Sequence, residues 1–260
     1  MEYTMRVDQS TDIDSRTEKG STCSRHWKNC VSLSKKRQYA FFAVLSLTAI
    51  CSAALILPSS SVYFQRFFGG INPILVVASA AVIGGFSLAH LQSIHGFAIL
   101  RGRATLRGIA VSAGMATVLA AAITIADFFI RYPEDTNVPV PQALVFYPVV
   151  GFVAEMAFHV APLALVLLAT ASLRRRTGPD RLVWVAFAVA GIVEPTFQVA
   201  FAAEPLSWAS AYTWVHVSAI AFLQLYVFLR YDFVSMYAFR LIYYAYWHVI
   251  WGTIRLQVLF

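Results

Sequence analysis

Long apolar runs separated by short polar connections set the rhythm of this chain. The runs fall at roughly 39–58, 71–90, 108–130, 143–171, 182–203, 208–229 and 233–253. Each is about as long as the ~20 residues an α-helix needs to cross a bilayer core. Before the first run, residues 1–38 are polar and mixed in charge, with no apolar period. They read as a disordered cytoplasmic tail, too long and too polar to be the leading region of a cleaved signal peptide, so the first run is expected to stay as a span. The pattern predicts an all-α, polytopic membrane protein with about seven transmembrane helices, forming one membrane domain over 39–260.

Composition agrees with this. Of 260 residues 59% are hydrophobic and only 13% charged, where a soluble domain carries about 25% charged residues. The net charge is +7, and most of the excess flanks the apolar runs, which favours charge-directed orientation over nucleic-acid binding. Lys35, Lys36, Arg37, Arg101, Arg103, Arg107, Arg174, Arg175, Arg176, Arg181 and Arg230 fall in one alternating set of connections. The other set holds Arg66, Arg131 and Arg255. This asymmetry predicts a cytoplasmic N-terminus and a C-terminus on the far side. Three cysteines make no disulfide framework, and Cys23 and Cys30 lack the second half of a zinc site.

Ionisable groups inside the runs are the next departure from a plain hydrophobic pattern. The first three runs carry little: Gly84 and Gly85 suit close helix contact, His90 and His95 read as interfacial, and Asp127 is placed where it reaches water. The last four differ. The fourth holds Glu155 and His159, four apart and so on one helical face. The fifth holds Glu194, Pro195 and Gln198, the sixth Tyr212, His216 and Gln224, and the seventh Arg240, Tyr243, Tyr244 and His248. Charged groups at such depth are costly and mark functional-site candidates. At 1.5 Å per residue, Glu155 and Arg240 both lie about 18–20 Å from the outer ends of their runs. His159 lies deeper, Glu194, His216 and Tyr244 shallower, and Gln198 and His248 nearest the outer surface. The expected arrangement is a polar column that contracts into one cluster if the boundaries shift.

Two accounts of Glu155 remain open. It can pair with Arg240 and fix the packing, since opposite charges in a low-dielectric layer must pair or neutralise. Alternatively it can act with His159, Glu194 or His248 to hold a divalent metal such as zinc, or activate a water as general base. The metal signal lacks the His-Glu-x-x-His pattern. Pro195, next to Glu194, removes a helical hydrogen bond and favours a kink that either opens a polar pocket or is satisfied by neighbours. His216 reads as a packed, hydrogen-bonded histidine.

At these residues the chain resembles the CAAX-protease and bacteriocin-processing superfamily of intramembrane proteases, also known as abortive-infection proteins. That family carries Glu-Glu-x-x-Phe-Arg on one span, Phe-x-x-x-His on a later one and a further His-x-x-x-Asn or similar motif near the end. Ala154-Glu155-Met156-Ala157-Phe158-His159 resembles the first, with Ala for the first Glu and His for the Arg. Glu194-Pro195-Thr196-Phe197-Gln198 falls near the second, with Gln198 at the His position, and Tyr212 to His216 offers an alternative aromatic-x-x-x-His. The stretch Leu229 to Arg240 resembles the approach to the last motif, with Arg240 at the His position. The resemblance covers 143–253, and each motif is altered.

What the resemblance implies is a divergent intramembrane endopeptidase acting on membrane-associated or prenylated peptides and proteins. Glu155 would activate water, His159, Glu194 and His248 would be metal ligands or oxyanion partners, and Arg240 would tune Glu155. Ala154 in place of the first Glu departs from that chemistry. Two further classes compete: a non-catalytic membrane protein that binds an apolar ligand or partner helix, and a small-solute or proton transporter that uses the buried acids as a relay. The sequence has no inverted repeat of the kind many transporters carry.

Overall fold

A computed structural model describes residues 33–173, 179–201 and 207–260. Residues 1–32 of the tail, Arg174 to Arg176 in the basic connection, and Cys23 and Cys30 lie outside the described residues. The described chain is helical throughout. Helix α1 spans Lys35–Phe68, α2 Pro73–His95, α3 Arg103–Ile130, α4 Ala143–Ala169, α5 Pro179–Ala200 and α6 Trp208–Arg230. The last helix, α7, runs as Phe233–Tyr244, a π-helical turn Ala245–Trp251, and Gly252–Val258. A second π-helical turn, Glu155–Val160, lies in the middle of α4.

Six of these helices, α1 to α6, are long and apolar enough to cross a membrane, which makes this a multi-pass membrane protein by length and composition. Of the seven expected runs, six among the described residues are thus helices that meet this criterion. Helix α7 forms where the seventh run was read, but Arg240, His248 and its tyrosines lower its hydropathy below that of a plain apolar span. Two boundaries also move. Helix α1 begins at Lys35, so the basic cluster expected before it forms its first turn. It then continues through Pro58 and three serines to Phe68, because Phe64 is buried against Phe146 with ring centroids 5.0 Å apart.

Burial separates an inner from an outer set of helices. In α4, 56% of the most apolar window is buried, against 22% in α3 and 28% in α1. Helix α4 packs against α1, α2, α5 and α7, while α7 packs against α3, α4 and α6. Hydrocarbon chains give little net hydrophobic drive between helices, so association rests on close fit and polar contacts. Gly84 supplies one such fit: a Cβ there would meet the Met156 side chain of α4. Gly151 of α4 supplies another, where a Cβ would stand 3.3 Å from Arg240 Cδ.

Polar ties close both ends of α7. At its start, Asp232 Oδ1 accepts from Ser235 N (2.9 Å) and Oδ2 from Arg101 N (2.9 Å), an N-cap that also satisfies a loop amide. The same loop passes Ala98 and Ile99 carbonyls to the amides of Phe233 and Val234. At its end, Arg255 and Asp127 are both fully buried. Arg255 Nε donates to Asp127 Oδ2 (2.7 Å) and Nη2 to Oδ1 (3.0 Å), while Trp251 Nε1 (2.8 Å) and Tyr132 N (2.9 Å) complete the carboxylate. Asp127, expected to reach water, is instead sealed in this pair because α3 and α7 meet at its level.

Candidate functional site

The centre of the molecule is a guanidinium held between two carboxylates. Arg240 comes from α7, Glu155 and His159 from the π turn of α4, Glu194 and Gln198 from α5, Gln224 from α6 and Tyr244 from one turn beyond Arg240. Nε of Arg240 donates to Glu155 Oε1 (2.6 Å). Nη1 donates to Glu194 Oε1 (2.8 Å) and to the Tyr244 hydroxyl (3.1 Å). Nη2 donates to Glu194 Oε2 (2.7 Å) and Gln224 Oε1 (3.2 Å). All five N–H groups of the guanidinium therefore have an acceptor, and its fork meets Glu194 in the paired geometry that makes such contacts strong. Gln224 Nε2 also donates to Glu155 Oε1, and Gln198 Nε2 to Glu194 Oε1 (3.3 Å).

Local sequence explains why α4 can present an acid and an imidazole together. Pro162 stands two residues past the π turn and has no N–H to return to the preceding turn. A widened turn is one way a helix passes such a point, and π turns recur at functional sites. His159 Nδ1 ends 3.3 Å from Glu155 Oε2, and His159 Nε2 3.8 Å from Glu194 Oε2. The first contact is close enough for Coulomb attraction but misaligned for a hydrogen bond. Among the described residues, Glu155 Oε2 and His159 Nε2 accordingly have no hydrogen-bond partner, although both side chains are fully buried.

Four of the five residues singled out from sequence, Glu155, His159, Glu194 and Arg240, thus converge, and the column contracts into a cluster as the depths allowed. His248 does not join it. Its ring Nδ1 is 2.7 Å from Asn137 Oδ1, and it stacks on Tyr147 at 4.5 Å, because α7 carries it past the cluster to the level of the 131–142 connection. The proposed metal set of His159, Glu194 and His248 is not assembled. No group of three His, Cys, Asp or Glu among the described residues is placed to hold an ion. His216 is hydrogen-bonded as expected, its Nε2 3.0 Å from the Tyr243 hydroxyl.

Beside the cluster lies a cavity of about 750 Å³. It is lined by the end of α1, by Tyr132 and Thr136, and by α4 to α7, and Glu194, Arg240 and Tyr244 form part of its wall. Most of the remaining lining is apolar or aromatic. At the α1 end, Arg66 meets Asp135 at 3.1 Å. Burial raises the Tyr132 phenol above its usual pKa, and the Thr213 hydroxyl 3.0 Å away partly offsets this.

The pairing of Asp127 with Arg255 and the bond of Gln224 to Glu155 are not visible in the sequence pattern. The first leaves one trace there: Trp251 and Arg255 are four apart and share a face. Compared with known proteins, the chain matches no family model, no curated protein and no solved structure.

Proposed function

We propose that this chain is a non-catalytic membrane protein that binds an apolar or amphipathic ligand in the cavity between α1 and α4 to α7. The observation that carries this reading is the cavity itself. Its volume of about 750 Å³ falls within the usual range for small-molecule sites, which are mostly apolar with a few fixed polar groups. The buried cluster supplies those polar groups at one wall. Arg240 holds both carboxylates, so neither is a free base, and that favours binding over hydrolysis. The test is saturable binding of an apolar fluorescent dye to purified protein. Ala157→Trp, which fills the cavity from α4, should abolish binding without lowering the melting temperature. Absence of saturable binding, or binding indifferent to this change, would end the proposal.

A second reading keeps the endopeptidase suggested by the family resemblance. It is favoured by one observation, that Glu155 Oε2 and His159 Nε2, in one buried cluster, both lack a hydrogen-bond partner. A water hydrogen-bonded to Glu155 Oε2 would be activated for attack, with Glu155 as base. Glu155→Gln should then abolish cleavage of membrane peptides while folded yield persists, and wild-type protein inert towards a broad peptide panel would count against it.

The orientation proposed alongside has α7 as a seventh crossing, a cytoplasmic N-terminus, and Phe260 on the opposite side. In a cysteine-free background, Lys36→Cys and Glu134→Cys should label from opposite faces, and a tag after Phe260 should be accessible from the Glu134 side. Labelling of both cysteines from one face would refute this topology.

A further inference from the structure

Next to the cavity, α2 and α4 part to leave a second hollow of about 340 Å³. Val76 of α2 and Val153 and Ala157 of α4 line both spaces. The wall they share is thus two valines and an alanine, small side chains that bar little. On the α2 side, Ile71, Leu75 and Ile83 line the hollow and are each more than half exposed. In a membrane-spanning chain such side chains meet lipid. Leu75 to Ile83 alone covers about 12 Å of helix at 1.5 Å per residue, so the hollow runs alongside acyl chains as well as near the headgroups. It closes where Gly84 lets α2 come down onto Met156.

The cavity wall offers an ion no partner. Its charged residues, among the described ones, are Arg66, Glu194 and Arg240. Arg66 is matched by Asp135 at 3.1 Å, and both oxygens of Glu194 are taken by Arg240. An ion of either sign would lose its hydration there and find no free countercharge. Neutral hydrogen-bonding capacity remains. The Tyr244 hydroxyl accepts from Arg240 and keeps its own proton to give, and Gln198 spends one N–H on Glu194 and keeps its carbonyl oxygen. Both residues line the cavity.

Resting on the reading that the cavity binds an apolar or amphipathic ligand, we infer that this ligand is a neutral lipid with an uncharged polar head, such as a hydroxyl or ester, and that it enters from the bilayer between α2 and α4. The head follows from the matched charges and the route from the shared wall.

Three probes of equal chain length test the head: dodecanol, dodecanoate and dodecyltrimethylammonium. Each is measured at alkaline pH, so that the carboxylate is ionised, by displacement of a bound apolar dye from protein in phosphatidylcholine nanodiscs, with empty discs correcting for partition. Dodecanol should bind about tenfold tighter than either ion. Equal affinities, or a preference for either ion, would overturn the neutral head. Stopped-flow displacement tests the route. Ser79 lines the hollow but not the cavity, so Ser79→Trp should slow displacement by dodecanol about tenfold and leave its equilibrium affinity unchanged. Leu75→Trp is a second variant of the same opening, and Val82→Trp, exposed on α2 outside the hollow, should leave the rate as it is. Melting temperatures confirm that all three are folded. Unchanged rates in both opening variants, or equal slowing by Val82→Trp, would overturn the lateral route. If the dye binds saturably but no probe displaces it, the lipid class is wrong and the cavity reading stands; if the dye does not bind, both fall together.

Discussion

Two buried arginines in α7 do different work. Arg255 meets one carboxylate, Asp127; Trp251 Nε1 and the Tyr132 amide donate to the acid, and the carbonyls of Tyr132 and Pro133 accept from the guanidinium. Charges balance one to one and the network closes. Arg240 meets two carboxylates, draws on four helices, borders a cavity and leaves two buried polar atoms unpartnered. A closed network is what packing alone requires, since half-satisfied buried groups are destabilising. An unclosed one beside a cavity is harder to attribute to packing. The difference teaches that burial of charge is not by itself a functional signal; the stoichiometry and leftover valence are.

The largest expected effect breaks the central network. Arg240→Leu leaves two carboxylates uncompensated and should cost about 3–5 kcal/mol, the usual scale for breaking a buried pair. Thermal unfolding in detergent measures this. Adding Glu155→Leu should restore little, because Glu194 is the bidentate partner and remains charged. Only the triple change with Glu194→Leu should recover most of the loss. Equal rescue by the double and triple changes would show that Glu194 is not a true partner.

Next in size is the rim. Asp127→Asn removes the charge partner of Arg255 but leaves its two backbone carbonyls, so a smaller loss of about 2 kcal/mol is expected, typical of a hydrogen bond to a charged group. Dye binding should be unchanged, since Asp127 does not line the cavity. Impaired binding in this variant would blur the contrast between the two networks. Smaller again is His248→Ala, which loses the contact to Asn137 and should cost about 1 kcal/mol. The smallest expected effect is none: chelator should leave the melting temperature unchanged, because a metal bound only to the folded state would otherwise stabilise it. A clear drop would mean that an ion is held after all.

Much of the centre was legible because depth along a helix follows directly from residue count. Residue count alone puts Glu155 and Arg240 at one level, and buried acids need a cation. The partition of Arg240 between two acids was not legible, since depth says nothing of azimuth. The ends of the helices are less legible for another reason. Hydropathy placed the end of the last run at 253 and left Arg255 in a connection, whereas α7 continues to Val258. Asp127 then had no visible partner and was assigned to water. His248 erred in the opposite sense: its partner Asn137 lies in an irregular connection, where residue spacing gives no position at all.

The π turn at Ala245–Trp251 has a geometric meaning of its own. In a regular helix each residue advances the side-chain direction by about 100°, from 3.6 residues per turn. A widened turn resets that phase between Arg240 on one side and Arg255 on the other. One rod can thus turn Arg240 towards the acids of α4 and α5 and Arg255 towards Asp127 of α3. The local slip in winding sets the relative heading of the two arginines, and the chain carries both networks on a single helix because of it.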